Sequence, residues 1–224
     1  MAALVWDQTG EKEFEAGVRK VVLFPMGSNG SYESGVAWSG VTEINENPSG
    51  ADVTDLYADD IKYASLRSAE NFGFSIGAYT YPDEWGQCDG SAEPQTGVYI
   101  GQQTRKAFGL CYRTAIGDDT HPGMDKGYKL HFVYNSTVSP SSRSYTTMNE
   151  NPDAITFSWE ATSTPVNVSG YKPCSTLVID STKVDATKLG TLESAIYGGT
   201  NTSATLPLPD AIIGLFGSAG TLGN

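Results

Sequence analysis

The stretch YKLHFVY, residues 128–134, alternates large apolar side chains with other side chains at a period of two. Successive side chains of a β-strand point to opposite faces, so this pattern predicts a strand with one buried face. His131 falls on the other face, which we expect to be polar-facing. The apolar face is formed by Tyr128, Leu130, Phe132 and Tyr134.

Similar alternation, or a short apolar run, recurs along the chain and predicts further strands. Glycine, threonine and serine are frequent, which favours strands and turns over helices. Trp159 lies in one such segment, beside Thr156, Ser158 and Glu160 on the opposite face. The predicted strands are residues 18–24, 36–38, 61–66, 71–79, 106–116, 155–159 and 175–179.

The segment 71–79 has one apolar face and one face of small residues. Phe72, Phe74 and Ile76 alternate with the small residues and are expected in the core. A strand face without bulk lets another backbone or a neighbouring subunit approach closely. The candidate close-packing face consists of Gly73, Ser75 and Gly77.

The periodicity changes near the end of the chain. Asp185 is placed to cap a helix whose apolar stripe would be closed by Gly198. That stripe is Leu189, Leu192 and Ile196. A short apolar segment, 211–216, is expected to add one helical turn, and Pro82 to begin a short helix.

Residues 45–60 are polar and rich in turn formers, which predicts a long acidic loop and not a core strand. The candidate inter-ring or lumen residues on and beside this loop are Glu43, Glu46, Asp52, Asp55, Asp59 and Asp60. The sequence thus predicts a mainly β chain: a β-sandwich or flattened barrel with one flanking helix and this loop. We expect one domain over 1–224, β-rich to about 180 and then helical.

The formal net charge of −12 argues against a surface that grips nucleic acid. The same acidity suits a conduit through which a phosphate polymer must pass without being retained. The start of the sequence has no basic and apolar signal-peptide pattern, and no apolar run approaches the ~20 residues of a membrane helix. We therefore expect a soluble protein made in a cytoplasm.

Residue types that carry catalysis or bind metals are sparse or lack a signature. Three cysteines without a CxxC pair argue against a disulfide framework or a structural zinc site, and Cys111 and Cys174 are expected to be buried. His121 and His131 accompany no nucleophile elbow, zinc-protease or phosphate-loop motif. The paired acids at 59–60, 83–84 and 118–119 fit solvated loops. We expect no catalytic residue, no metal and no cofactor.

Several phrases, taken together, resemble the major tail (tail tube) proteins of siphophages and prophages of Gram-positive bacteria. They occur in order along nearly the whole chain. They are WDQTGEKEFEAGV (6–18), PSGADVTDLYADDIKYASLRSAENFGFSIGAYTYPDEWGQCDGS (48–91), GQQTRKAFGLCYRT (101–114), NENPDAITFSWEATSTPVNVSGYKPCSTLVIDSTKVDATKL (149–189) and LPLPDAIIGLF (206–216).

That resemblance implies a non-enzymatic structural subunit that assembles with itself into hexameric rings stacked as a tube. Viral DNA would pass through the tube without specific binding, and other tail proteins would sit at its ends. It also implies that a long loop between early strands, here 45–60, reaches neighbouring subunits. The expected location is the virion, after the host cytoplasm. Strand signals are too few after residue 179 for the immunoglobulin-like domain that some tail proteins carry.

Two other function classes fit parts of the sequence. A β-sandwich adhesin or carbohydrate-binding module could stack Trp38, Trp85 and the segment 79–81 on sugars, although these aromatics also suit a core. A hydrolase on a β scaffold would need paired carboxylates in a pocket. Self-assembly distinguishes the tail-tube hypothesis from both.

Overall fold

A computed structural model describes residues 3–148, 150 and 153–217. The chain is mainly β, with antiparallel sheets and few helices. The strands are β1 (Phe14–Pro25), β2 (Val36–Trp38), β3 (Val41–Glu46), β4 (Ser49–Gly50), β5 (Val53–Ala58), β6 (Ile61–Arg67), β7 (Glu70–Asn71), β8 (Gly73–Ala78), β9 (Ala92–Gln95), β10 (Val98–Ile100), β11 (Phe108–Gly117), β12 (Gly127–Val138), β13 (Phe157–Ser163) and β14 (Thr176–Asp180). The helices are α1 (Trp85–Asp89), α2 (Ala186–Tyr197) and α3 (Pro209–Phe216).

The main sheet runs in the order β2-β1-β11-β12-β13-β8-β3. The long strand β12 pairs with β13 through Ser136–Val138 and with β14 through Lys129–Val133, so the sheet forks along its length. Separate two-stranded ladders join β5 to β6, β9 to β10, and β4 to β7. The strands β2, β3 and β14 are therefore the free edges of the main sheet.

Alternation along β1 explains how one sheet serves two cores. Val21 and Leu23 point into one apolar cluster, whereas Val22 and Phe24 point into a second cluster on the opposite face. Successive side chains of a strand face opposite ways, so a strand buried on both faces has a continuous apolar run. The run of residues 21–25 is such a strand.

The first cluster is dominated by aromatic side chains. Trp85 of α1 is fully buried and lies 4.5 Å from Trp38, 5.0 Å from Phe108 and 5.3 Å from Trp159, measured between ring centroids. Tilted and edge-on arrangements of this kind are favourable for aromatic quadrupoles. The short helix α1 thus closes one side of the sheet.

The second cluster packs the opposite face of the sheet against the C-terminal helices. Its strand residues include Leu130, Phe132 and Tyr134, as the alternation of 128–134 predicts. We had expected the other face of that strand to be polar. This prediction is wrong, because Val133 on that face belongs to the first cluster. Both faces of β12 are covered, so period-two alternation here separates two cores and not core from solvent.

The helix predicted after Asp185 is α2, with Leu189, Leu192 and Ile196 buried. Gly198, at φ 71°, follows its last residue. The expectation of one flanking helix is wrong, because α3 also packs on the second cluster through Ile212. Pro209 at its first turn supplies a preset φ and starts that helix. In the described ranges, no helix has the length and apolarity needed to cross a membrane.

The predicted acidic loop is wrong at residues 53–58, which form a strand and make a β-hairpin with the strand predicted at 61–66, which is confirmed. Residues 53–58 and 61–67 pair as β5 and β6, joined by Asp59 and Asp60 at φ 50° and 60°. Both central residues of a type I′ turn need positive φ, which aspartate tolerates better than most residues. We call residues 53–67 the arm. At its base, the backbone amide of Ser68 donates to the carbonyl of Asp52 at 3.0 Å.

Candidate assembly surfaces

The pairing register divides the arm into two unlike faces, because residues directly opposite each other in a ladder share a face. One face is largely polar: Asp55 accepts from Lys62 Nζ at 2.8 Å and from Ser65 Oγ at 2.6 Å. These two contacts, first Lys62 and then Ser65, lower the pKa of Asp55. The polar face is Val53, Asp55, Tyr57, Lys62, Ser65 and Arg67.

The other face of the arm is apolar and faces solvent. Leu56 is 41% exposed, Ile61 is 65% exposed and Leu66 is 57% exposed. An isolated two-stranded hairpin is marginally stable in water and needs something to cover its apolar face. We call this surface the arm stripe. It consists of Thr54, Leu56, Ala58, Ile61, Ala64 and Leu66.

The structure spreads the predicted acidic residues along this region and does not gather them into one site. Glu43 and Glu46 lie on β3, in the main sheet, whereas Asp59 and Asp60 form the tip of the arm. Asp52 lies at the base of the arm, and Asp55 is paired with Lys62. Glu46 Oε1 accepts from the hydroxyl of Tyr112 at 2.8 Å.

The small residues of β8 lie inside the main sheet, because β8 is paired on both sides by β13 and β3. A Cβ added at Gly77 would lie 2.7 Å from Glu43 Cγ, and one at Gly73 would lie 3.0 Å from the Asn47 carbonyl oxygen. Ser75 pairs with Asn45 and Glu160. The close approach predicted at Gly73 and Gly77 is thus made by the chain itself.

The loop after β11 is built around a carboxylate that is only 2% exposed, Asp118. Its Oδ1 accepts from the backbone amides of Thr120 at 2.8 Å and His121 at 2.7 Å, and its Oδ2 lies 2.9 Å from Lys126 Nζ. These donors, with Lys126 as the largest contribution, hold the pKa of Asp118 far below its usual range. His121 lies 2.9 Å from the same carboxylate through Nδ1.

This loop also fixes the chain that precedes β1. Lys126 Nζ lies 2.6 Å from Glu13 Oε1 and donates to the Gly10 carbonyl at 3.2 Å. Asp119 Oδ1 accepts from the Gly10 amide at 2.9 Å. We call residues 118–126 the latch. It fixes Gly10 and Glu13 at the end of the sheet where Phe14 pairs with Gly117.

Residues 4–7, which precede the part of the chain held by the latch, expose apolar side chains that were not predicted as a surface. Leu4 is 80% exposed, Val5 is 64% exposed and Trp6 is 74% exposed. A second missed surface is the β9–β10 hairpin, where Val98, Tyr99 and Ile100 are exposed. Its signal was present, because a β-branched and aromatic triplet bounded by glycines is typical of a hairpin strand.

His131 is half-buried, and its ring stacks on Tyr112 at 4.7 Å with an interplanar angle of 2°. Its Nε2 lies 2.9 Å from Thr114 Oγ1 and 3.2 Å from Glu15 Oε1. Burial lowers the pKa of His131, against the opposing effect of Glu15. Among the residues that the structure describes, no group of three or more His, Cys, Asp or Glu is placed to hold a metal ion.

The aromatics considered for sugar stacking lie mostly in the core. Trp38 is 3% exposed and Trp85 is fully buried, as their alternative assignment to a core predicts. Tyr81 packs edge-on against Trp159 at 5.5 Å, and only Tyr79 is largely exposed, at 56%. Cys111 is buried as predicted, whereas Cys174, at the edge of the sheet, is only partly buried.

No protein-family model matches the sequence, and no curated protein matches it.

Proposed function

We propose that the protein is a structural subunit of a phage tail tube. It assembles with itself into stacked hexameric rings that form the conduit for DNA ejection, and it acts in the virion with other tail proteins at the tube ends. The observation that carries the proposal is the arm, which leaves the main sheet and carries an uncovered apolar stripe. The number of subunits in a ring comes from the resemblance to major tail proteins.

The arm supports self-assembly because the arm stripe is a contiguous apolar surface, whereas exposed apolar residues are usually scattered singly. Leu56, Ile61 and Leu66 project from one ladder face and are all more than 40% exposed. At roughly 25 cal/mol per Å² of apolar area removed from water, covering such a stripe stabilises an oligomer by a few kcal/mol per contact. A neighbouring copy is the occupant that a symmetric ring supplies at every position.

The arrangement of the main sheet fits the β-sandwich or flattened-barrel architecture of tail tube proteins. The strand order places β2 at one end of the path and β3 at the other, and a cleft is lined by Ala16 and Val18 of β1 and by Ile44 of β3. The shared cleft places β1 beside β3, and we propose that the sheet curls around its first core. The second core then carries the flanking helices on the outside.

Acidity supports the conduit. The formal net charge of −12 disfavours retention of DNA, since phosphate binding requires basic side chains. The binding-module alternative has less support, because Trp38 and Trp85 are inside the first core and are not available to stack on a ligand.

The decisive experiment is electron microscopy of the purified protein, compared with a variant that lacks the arm. Residues 53–67 are replaced by Gly-Gly, which joins Asp52 to Ser68, residues that already share a backbone hydrogen bond. We expect rings or hollow tubes from the wild type and monomers from the deletion, because the stripe is lost and the main sheet is untouched. The control, Thr96→Gly, alters the turn of the other exposed hairpin, β9–β10, and leaves the arm intact.

Far-ultraviolet circular dichroism must show that the deletion variant remains folded. Normal tubes from a folded variant without the arm would contradict the role of the arm. A wild type that stays monomeric at every concentration and binds a glycan in an array screen would replace the proposal with the binding-module function.

A further inference from the structure

A groove beside β1 is the strongest unassigned surface outside the arm. It has a cavity volume of about 250 Å³ and lies between β1, β2 and the end of α2. Lys20 borders it, with its Nζ 5.0 Å from the centroid of the Tyr197 ring. The apolar lining consists of Val21, Val22, Ala37, Ile196, Tyr197 and Ala204.

We infer that this groove binds residues 4–7 of a second copy of the chain, with Trp6 on the apolar floor and Asp7 paired with Lys20. The inference deepens the proposed function and rests on it, since it specifies one contact between subunits. We call the two halves of the contact the N-segment, residues 4–7, and the β1–α2 groove.

The chemistry of the two surfaces is complementary. The N-segment presents Leu4, Val5 and Trp6, whose exposed area has no cover within the described part of the chain. The groove offers apolar side chains, the Tyr197 ring and one cation, and tryptophan is the aromatic residue that attracts a cation most strongly. Asp7, next to Trp6, carries the charge opposite to that of Lys20, and both residues are exposed.

The backbone at Lys20 departs from regular strand geometry. Its φ is 50°, and the pairing of β1 with β11 shifts register on either side of Arg19, so the strand bulges here. Bulges re-aim a side chain that a regular strand would place elsewhere. The bulge explains why the Lys20 side chain lies next to Tyr197, at the border of a groove that is otherwise apolar.

The N-segment is too far from the groove of its own copy to bind there, so the occupant must come from another copy. The latch holds Gly10 beyond the Phe14 end of β1. Trp6 lies four positions before Gly10, and fully extended this stretch spans at most about 14 Å. The strand from Phe14 to Val21 alone is about 20 Å long at roughly 3.3 Å per residue, shortened by its bulge. The backbone of Trp6 therefore cannot reach the groove of its own copy.

The contact is head-to-tail, because the N-segment and the groove are different surfaces at different positions along β1. Such heterologous contacts close into rings or continue as filaments. A subunit that used this contact together with the arm stripe would have two independent surfaces for rings and stacking, as a tube requires.

Tryptophan fluorescence tests the contact directly. The chain has four tryptophans, and Trp38, Trp85 and Trp159 are at most 3% exposed, whereas Trp6 is 74% exposed. Acrylamide should therefore quench mainly Trp6 in the monomer, and this quenchable fraction should disappear when the wild-type protein assembles. Assembled protein whose Trp6 remains quenchable would overturn the inference and leave the proposed function intact. Protection of Trp6 in the monomer would overturn it as well.

Charge reversal tests the pairing of Asp7 with Lys20. Asp7→Lys and Lys20→Asp should each raise the concentration needed for assembly at least tenfold, measured by sedimentation, and the double variant should restore it. Aspartate tolerates the positive φ of position 20. Asp153→Lys, an exposed site with the same charge change, is the control. Equal effects of Asp7→Lys and its control, or a double variant no better than the singles, would refute the pairing. Failure of the wild type to assemble would instead refute the proposed function itself.

Discussion

Asp118 has surroundings that differ strongly from those of a free side chain. It is 2% exposed and yet charged, because Lys126, Thr120 and His121 supply donors to both of its oxygens. A buried charge is tolerated only when it is paired and hydrogen-bonded. The carboxylate thereby becomes the centre that organises the latch.

We predict that Asp118→Asn destabilises the protein in a pH-dependent way. The pKa of Asp118 is lowered by folding, so its contribution is complete above the unfolded value of about 4 and is lost as the pH falls through the folded value. The melting temperature of the variant should be lower than that of the wild type by a constant amount between pH 5 and 8. The gap should close as the pH falls below about 4.

Asp125→Asn is the matched control, because Asp125 is exposed in the same loop and the substitution changes the charge equally. A gap for Asp118→Asn that does not narrow in acid would show that the variant acts through packing and not through the charge. The measurement is thermal unfolding followed by circular dichroism across the pH series.

At the scale of elements, local sequence and tertiary packing agree on where α2 begins and on which of its faces is buried. Asp185 has an extended backbone, and its side chain accepts from the amides of Thr187 at 3.0 Å and Lys188 at 2.9 Å. Those amides have no partner within the helix, so the cap satisfies them. Leu189, Leu192 and Ile196 then fall on the buried face.

We predict that Asp185→Ala lowers the free energy of unfolding by about 1 kcal/mol, the usual cost of losing such a cap. Urea titration of the monomer measures it. Asp185→Ser should retain most of the stability, because a serine hydroxyl caps in the same geometry. An alanine variant as stable as the serine variant would contradict the role of the cap.

Local sequence predicted one strand of the arm, residues 61–66, and missed the other, residues 53–58. The acids and turn formers of residues 45–60 predicted a loop there, because strands with many polar residues usually lack a core to pack on. The pairing of β5 with β6 is decided by a bulge after Leu56 and by a two-residue turn of aspartates at positive φ. Neither depends on burial, so the hydrophobic pattern did not reveal it.

At the scale of the whole molecule, the charge balance makes a testable statement about DNA. We predict no retention of double-stranded DNA by the purified protein at 0.05 M salt, where phosphate binding by basic proteins is strongest. Electrophoretic mobility shift measures this, with a basic DNA-binding protein as the positive control. A shift at 0.05 M salt would show that a local basic surface outweighs the net charge of −12 and would contradict a non-retaining conduit.

The elements with strong periodicity could be assigned from local sequence alone. Phe74 and Ile76, the strand 128–134 and the stripe of α2 could be placed because period two and period 3.6 are properties of the local backbone. The charge and the absence of catalytic motifs likewise needed no structure. These features are local, so they are fully present in the order of the residues.

Which faces are covered, in contrast, depends on how the elements pack together. β12 is buried on both sides because α2 and α3 pack on one face and the aromatic cluster fills the other. The partner of Gly77 is Glu43 of the same chain, and the latch joins Gly10 to Asp119 across more than a hundred residues. Such contacts depend on where distant segments meet in space, and that information is carried by the packing of the whole chain and not by the pattern of any one segment.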